Sequence, residues 1–140
     1  MAGAAPIPED RPLTDREAAL VRWMLEHGTA AATGFLSQLA AARVVSRCYC
    51  GCASVDFAVG GVVPPPGEGI GILADFEYRT AEGHLCGAFV FERVGLLAGL
   101  EVWSVDGLST PSVLPEVSQL QPLVFSQSAE PGAAADRGRM

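Results

Sequence analysis

The chain has 140 residues, 49% of them hydrophobic, and a formal net charge of −7. This length suits one domain that buries about two thirds of the surface its unfolded chain exposes. Nine arginines and no lysines stand against sixteen acidic residues. A negatively charged surface repels a phosphate backbone, so nucleic-acid binding is not expected.

No stretch approaches the ~20 apolar residues of a membrane span, and Met1–Arg11 lacks the pattern of a signal peptide. We therefore expect a cytoplasmic protein without membrane contact.

The first predicted element is a helix over about residues 15–27. Thr14 and Glu17 have the spacing of a capping box, in which each side chain bonds the backbone amide of the other residue. An apolar stripe follows at helical spacing, and Gly28 is expected to end the helix in a left-handed conformation. A second, weaker helix is predicted over about residues 33–41.

Strand patterns follow in rapid succession, separated by short connections that contain glycine. The predicted strands are 43–49, 53–59, 70–79, 84–93 and 96–105. The connection 60–69 contains three consecutive prolines and reads as a stiff loop, because proline lacks the amide that a strand interior needs. A short final strand or helical turn is expected around 117–124.

Helices before a run of strands predict an α+β domain over residues 12–124. Two N-terminal helices would pack on one face of an antiparallel β-meander of five or six strands. Residues 1–11 and 125–140 lack periodicity and are rich in Ala, Pro and polar residues, so we expect a disordered leader and a disordered tail.

Period-two alternation predicts which side chains share a face of the sheet. The set predicted to face the helices is Val55, Phe57, Val59, Ile72, Ala74, Phe76, Tyr78, Leu85, Phe89, Phe91, Leu96, Leu100 and Val102. The set predicted on the opposite, outer face is Asp56, Leu73, Asp75, Glu77, Cys86, Val90, Glu92, Leu97, Glu101 and Trp103. This second set mixes carboxylates with large apolar groups. We therefore expect a partner, a second copy or the C-terminal segment to cover it.

The first candidate site is an acidic rim around an aromatic anchor on the outer face. It consists of Asp75, Glu77, Glu92, Glu101 and Trp103. Aromatic anchors with polar rims commonly carry interface energy. The corresponding hypothesis is a non-catalytic binding module that forms a homodimer or binds a basic protein.

The second candidate site is the stretch RVVSRCYCGCASVDFAV, residues 43–59. Its three cysteines alternate with other residues: Cys48, Cys50 and Cys52. In an extended strand their α-carbons would spread over roughly 13 Å, so one zinc ion could bind them only if the chain bends sharply at Gly51. Cys86 or His84 would then complete a tetrahedral site.

Two other interpretations of these cysteines stay open. A disulfide between Cys50 and Cys52 would close a small, strained ring. Alternatively, the thiols are small buried hydrophobes and no cofactor is bound.

Catalysis has no support in the sequence. The chain contains no G-x-S-x-G, phosphate-binding loop, dinucleotide fingerprint or H-E-x-x-H. The runs TDREAALVRWMLE, RCYCGCASVDF and LEVWSVDG resemble a group of small uncharacterised bacterial proteins with an N-terminal helix, a C-x-C-G-C stretch and a closing strand. The resemblance covers about residues 13–123. It implies no activity and supports only the fold and the compartment.

Overall fold

The computed structural model describes residues 5–65 and 69–123; the predicted tail, 125–140, lies outside them. They form one antiparallel sheet of seven strands with two short helices, which confirms the α+β class and enlarges the predicted sheet of five or six strands. The strands are β1 (Ile7–Pro12), β2 (Ala42–Arg47), β3 (Val55–Val59), β4 (Gly71–Arg79), β5 (Leu85–Arg93), β6 (Leu96–Ser104) and β7 (Gln121–Pro122). The α-helices are α1 (Asp15–Glu26) and α2 (Leu36–Leu39), with 3-10 turns at Ala32–Phe35 and Val117–Gln119. Among the described residues, no helix is long and apolar enough to cross a membrane.

The strand order is β1-β2-β3-β6-β5-β4-β7. It contains two meanders, β1-β2-β3 and β4-β5-β6, which meet where β3 pairs with β6 through Val55–Leu100 and Asp56–Gly99. The prediction of one continuous meander is therefore wrong. The long connection between β3 and β4 lets the chain pass the positions of β6 and β5 before it re-enters the sheet.

The predicted capping box is confirmed at the start of α1. The Glu17 amide donates to Thr14 Oγ1 at 3.0 Å, and the Thr14 amide donates to Glu17 Oε1 at 2.8 Å. The Arg11 guanidinium binds both Glu17 oxygens, at 2.9 and 3.0 Å. Burial opposes ionisation of Glu17, but the bonds from Arg11 and Thr14 outweigh it and lower the pKa of Glu17. This pair ties β1 to α1.

Strand β1 lies within the segment predicted to be a disordered leader, and that prediction is wrong for residues 7–11. β1 occupies the edge of the sheet and pairs with β2. Pro8 and Pro12 argue against a strand, because proline has no backbone amide to donate. An edge strand tolerates them, since one side of it has no neighbouring strand to bond. The Arg47 side chain of β2 donates a 2.7 Å hydrogen bond to the Glu9 carboxylate, which adds a side-chain contact to the pairing of β1 with β2.

Helix α1 ends close to the predicted position, but not through a left-handed glycine. Gly28 has no positive φ. Instead, a Cβ at this position would collide with the Leu73 carbonyl oxygen and lie 2.9 Å from the Ala74 Cβ. The Thr29 amide donates to the same Leu73 oxygen at 2.8 Å. Glycine is needed here because the chain passes directly against β4.

The core lies between the sheet and the helices, and it differs from the predicted set of side chains in three strands. In β5, Cys86 and Val90 are buried in the core, although both were predicted on the outer face. Phe89 and Phe91 lie on the opposite face, with their rings tilted by 55° and their centroids 5.7 Å apart, and Phe91 is buried there. The prediction for β5 is therefore reversed, because nearly every position of this strand is apolar and its alternation is ambiguous.

In β4 and β6 the difference comes from irregular pairing. The register shifts between Ile72 and Ala74, so Leu73 joins Ala74 in the core. A second shift opposite Phe91 and Glu92 of β5 brings Leu97 into the core of β6 as well. A bulge changes the face of every residue on one side of it, and no local residue pattern marks these two.

The C-terminal segment, residues 109–120, packs on the helix side of the sheet. Leu114, Val117 and Leu120 contact the core, and Arg16 of α1 donates to the Leu114 carbonyl at 3.0 Å. This described segment therefore lies on the side of the sheet opposite Trp103, which is 41% exposed.

Candidate functional site

Three of the four cysteines lie in the hairpin loop between β2 and β3, residues 48–54, which we call the thiol loop. The Cys48 amide donates to the Ser54 carbonyl at 3.2 Å, which closes the loop. Gly51 has φ +93°, a backbone conformation that glycine adopts without steric cost. The bend that a metal site requires at Gly51 is therefore present.

The bend brings the three thiols together. The sulfur atoms of Cys48, Cys50 and Cys52 all lie within 4.8 Å of one another, and those of Cys48 and Cys50 are 2.8 Å apart. All four cysteines of the chain are free thiols. Zinc–sulfur bonds of about 2.3 Å in a tetrahedron separate neighbouring sulfurs by roughly 3.8 Å. The three sulfurs are thus spaced closely enough to bind one ion.

Negative charge is unevenly distributed in this cluster. Burial and the contact with the Cys50 thiol raise the pKa of Cys48 to about 12. The hydrogen bond from Cys48 lowers the pKa of Cys50, and the Cys52 amide, which donates to the Cys50 sulfur at 3.4 Å, adds to this effect. Cys50 therefore loses its proton first, and Cys48 shares the resulting charge as a hydrogen-bond donor.

Ser54 fixes one end of the thiol loop to the sheet. Its buried Oγ donates to the Val102 carbonyl at 3.0 Å and accepts from the Val102 amide at 2.9 Å. The Cys52 thiol donates to the same oxygen at 3.3 Å. Nothing in the sequence singles out Ser54, because its partner is 48 residues away and belongs to a strand that is not its neighbour along the chain.

The two residues predicted to complete a zinc site lie elsewhere. Cys86 is fully buried on the core face of β5, with its sulfur 3.8 Å from Ser109 Oγ. His84 Nδ1 lies 3.8 Å from Asp106 Oδ2. Within residues 5–65 and 69–123, no further Cys, His, Asp or Glu joins the three thiols. An ion bound there would have three ligands from the described part of the chain.

A cavity of about 220 Å³ opens beside the thiol loop. It is lined by Pro6, Cys48, Tyr49, Ser54, Val55, Asp56 and Glu101. Burial, together with the charge of Asp56, raises the pKa of Glu101. Glu101 was predicted as part of the outer-face site, so the two candidate sites adjoin at this cavity.

Four of the five outer-face residues lie in two neighbouring rows across β4, β5 and β6. One row is Asp75, Phe89 and Glu101, and the other is Glu77, Gly87 and Trp103. The Trp103 indole lies against Gly87, where a Cβ would be 2.5 Å from the indole nitrogen. Trp103 is 41% exposed, and burial raises the pKa of Asp75.

The fifth residue, Glu92, does not join these rows. It lies near the opposite end of β5, opposite Gly71 of β4. Its Oε1 accepts from the Gly95 amide at 2.9 Å, so it stabilises the turn between β5 and β6. The acidic rim therefore consists of Asp75, Glu77 and Glu101.

Comparisons with protein-family models, with curated proteins and with solved structures found no match to this chain. The resemblance to a group of small bacterial proteins stays a prediction.

Proposed function

We propose that this protein binds a thiophilic metal ion, in the first place zinc, through Cys48, Cys50 and Cys52. The observation that carries the proposal is the convergence of three sulfur atoms within 4.8 Å on one short loop. Thiolates are the ligands that zinc and copper(I) prefer. The bend at Gly51 and the bonds from Ser54 to Val102 shape the loop, so binding requires only that the Cys48 and Cys50 sulfurs, 2.8 Å apart, separate by roughly 1 Å.

A bound cation would also neutralise negative charge on the three sulfurs. Three neighbouring thiolates would repel one another, and a divalent ion offsets that repulsion with three bonds as the thiols release their protons. Such a site needs reduced cysteines, which agrees with the expected cytoplasmic location. The proposed role is metal binding, and no catalytic step is assigned to it.

Native mass spectrometry of the reduced protein, purified without chelator and then incubated with one equivalent of zinc, tests the proposal. We expect one zinc per chain in the wild type and in the control variant Cys86→Ala, because Cys86 lies outside the cluster. Cys50→Ser should lose the ion. A wild-type chain that stays metal-free under these conditions would contradict the proposal.

A second candidate function is self-association, or binding of a basic protein, through the outer face. Trp103 is 41% exposed on the face opposite the described C-terminal segment, and carboxylates surround it. Both partners in such a contact would bury the indole as a central anchor. The acidic rim formed by Asp75, Glu77 and Glu101 favours positively charged groups opposite it.

Sedimentation velocity separates this candidate from the first one. The double variant Trp103→Ala/Glu101→Gln should be monomeric if the wild type forms a dimer through this face. Leu108→Ala serves as the control, since Leu108 is an apolar residue in the loop after β6 and is 70% exposed. A dimer that persists in the double variant would exclude the outer face as the contact.

A further inference from the structure

We propose that a metal ion in the thiol loop keeps one coordination position open, and that this position accepts a positively charged thiol from outside the chain. The inference rests on the proposed metal site. Its ligand is a sulfhydryl close to a cationic group, present either in a small aminothiol or in a cysteine flanked by arginine or lysine on another protein.

The chain's other cysteine and its two histidines are engaged outside the thiol loop. Cys86 is enclosed in the core, His84 lies beside Asp106, and His27 stacks on Trp23 with its Nδ1 2.8 Å from the Trp23 carbonyl oxygen. These are the only other cysteine and histidines in the sequence. Zinc usually has four ligands and the described residues supply three, so the fourth position is free for a ligand from outside the chain.

The site is accessible to such a ligand. Cys50 is exposed, Cys48 and Cys52 are partly exposed, and the cavity of about 220 Å³ opens directly beside Cys48. A soft ion that already carries three thiolates prefers sulfur to oxygen as its next donor. When the thiol binds, its sulfur forms the bond to the metal and its proton passes to water.

The cavity determines which thiols fit best. Asp56 and Glu101 both line it, and no Arg or Lys does. The field of these two carboxylates attracts a cationic ligand and repels an anionic one. In this cavity, beside Cys48, a thiol that carries an ammonium or guanidinium group is therefore favoured over one that carries a carboxylate. A separate cavity of about 240 Å³ beside Cys52 is lined by Arg11, Arg47 and Glu17 and has no such preference.

Cobalt(II)-substituted protein tests the inference, because its visible bands report the number and kind of ligands. The matched probes are cysteamine, which carries an ammonium group, and 3-mercaptopropionate, which carries a carboxylate. We expect cysteamine to shift the bands saturably, with one bound per chain in native mass spectra, and to bind at least fivefold more tightly than 3-mercaptopropionate.

A peptide with the sequence Arg-Cys-Arg distinguishes the two sources of the thiol. Tighter binding than cysteamine points to a cysteine on another protein, and weaker binding points to a small aminothiol.

Two variants test whether the charge of Glu101 causes the preference for a cationic thiol. Glu101→Gln should reduce the preference for cysteamine at least twofold, whereas Glu82→Gln, in the turn between β4 and β5, should leave it unchanged. Unaltered cobalt bands, removal of cobalt by the thiol, or equal affinity for both probes would overturn the inference, while the proposal that the loop binds metal would stand. If cobalt does not bind at all, the proposed function itself fails.

Discussion

Cysteine occupies two contrasting environments in this protein. Cys86 has no exposed surface and lies between Tyr78 and Ser104 on the neighbouring strands, where it fills the core like a small apolar residue. The cysteines of the thiol loop point towards one another at the surface instead. The difference shows that a thiol becomes available for chemistry through its neighbours and its access to solvent. Four variants or treatments sharpen this contrast.

Alkylation should show the largest difference. In metal-free protein treated with iodoacetamide, Cys50 should react first because its lowered pKa supplies thiolate, and Cys48 later because its pKa is raised to about 12. Cys86 should react on the order of a thousandfold more slowly than Cys50, since it is reached only when the domain unfolds. Peptide mass spectrometry over time measures this order. Similar rates for Cys86 and Cys50 would refute the burial of Cys86.

Zinc should stabilise the fold through the loop cysteines alone. At a free zinc concentration about a hundred times the Kd, binding adds about 2.7 kcal/mol to the free energy of unfolding. Cys52→Ser should abolish this increment, and Cys86→Ala should retain it on a lower baseline. Urea denaturation with zinc and with a chelator gives the values. Equal increments in the two variants would exclude the loop as the binding site.

Ser54→Ala should affect the fold and the site together. It leaves the buried amide and carbonyl of Val102 without a side-chain partner, which costs about 2 kcal/mol in metal-free protein. Zinc affinity should also fall, by roughly tenfold, because the end of the thiol loop next to Cys52 loses its two bonds to Val102 of the sheet. The control Ser46→Ala removes one bond to Asp56 on a half-buried residue and leaves no buried backbone group of Val102 unpaired, so zinc affinity should not change with it. Calorimetric zinc titration distinguishes a structural effect from loss of the site.

Gly51→Ala should have the smallest effect on stability. Alanine in a left-handed conformation costs about 1 kcal/mol, and no atom would collide with its Cβ. Gly60→Ala is a matched control, since Gly60 also has a positive φ and open space, at the far end of β3. Both variants should lose similar stability, but only Gly51→Ala should weaken zinc binding. An equal loss of affinity in both would mean that the bend at Gly51 does not shape the site.

The sequence predicts those features that depend on nearby residues. Thr14 and Glu17 identify the start of α1, and the bend that Gly51 must supply is deduced from strand geometry alone. The cysteines of the loop are found because they are neighbours along the chain. Each of these features is encoded within a few positions, so a local pattern is sufficient.

Features that depend on distant pairing are missed. Cys86 and Val90 are assigned to the wrong face because β5 is apolar on both sides. Ser54 anchors the thiol loop only because it bonds to Val102, and β1 forms a strand because it pairs with β2. None of these partners can be deduced from local periodicity, since each belongs to an element placed by the whole sheet.

The short pairing of β3 with β6 has a consequence for the order of folding. Each meander closes through contacts between adjacent strands, whereas Ser54 and Val102 must find each other across 48 residues. Closing that large loop costs entropy before the contact returns any free energy, so the two halves of the sheet should join late. The anchor of the thiol loop forms in that same step. The nascent chain would then acquire its rigid cluster of thiols only when folding is almost complete.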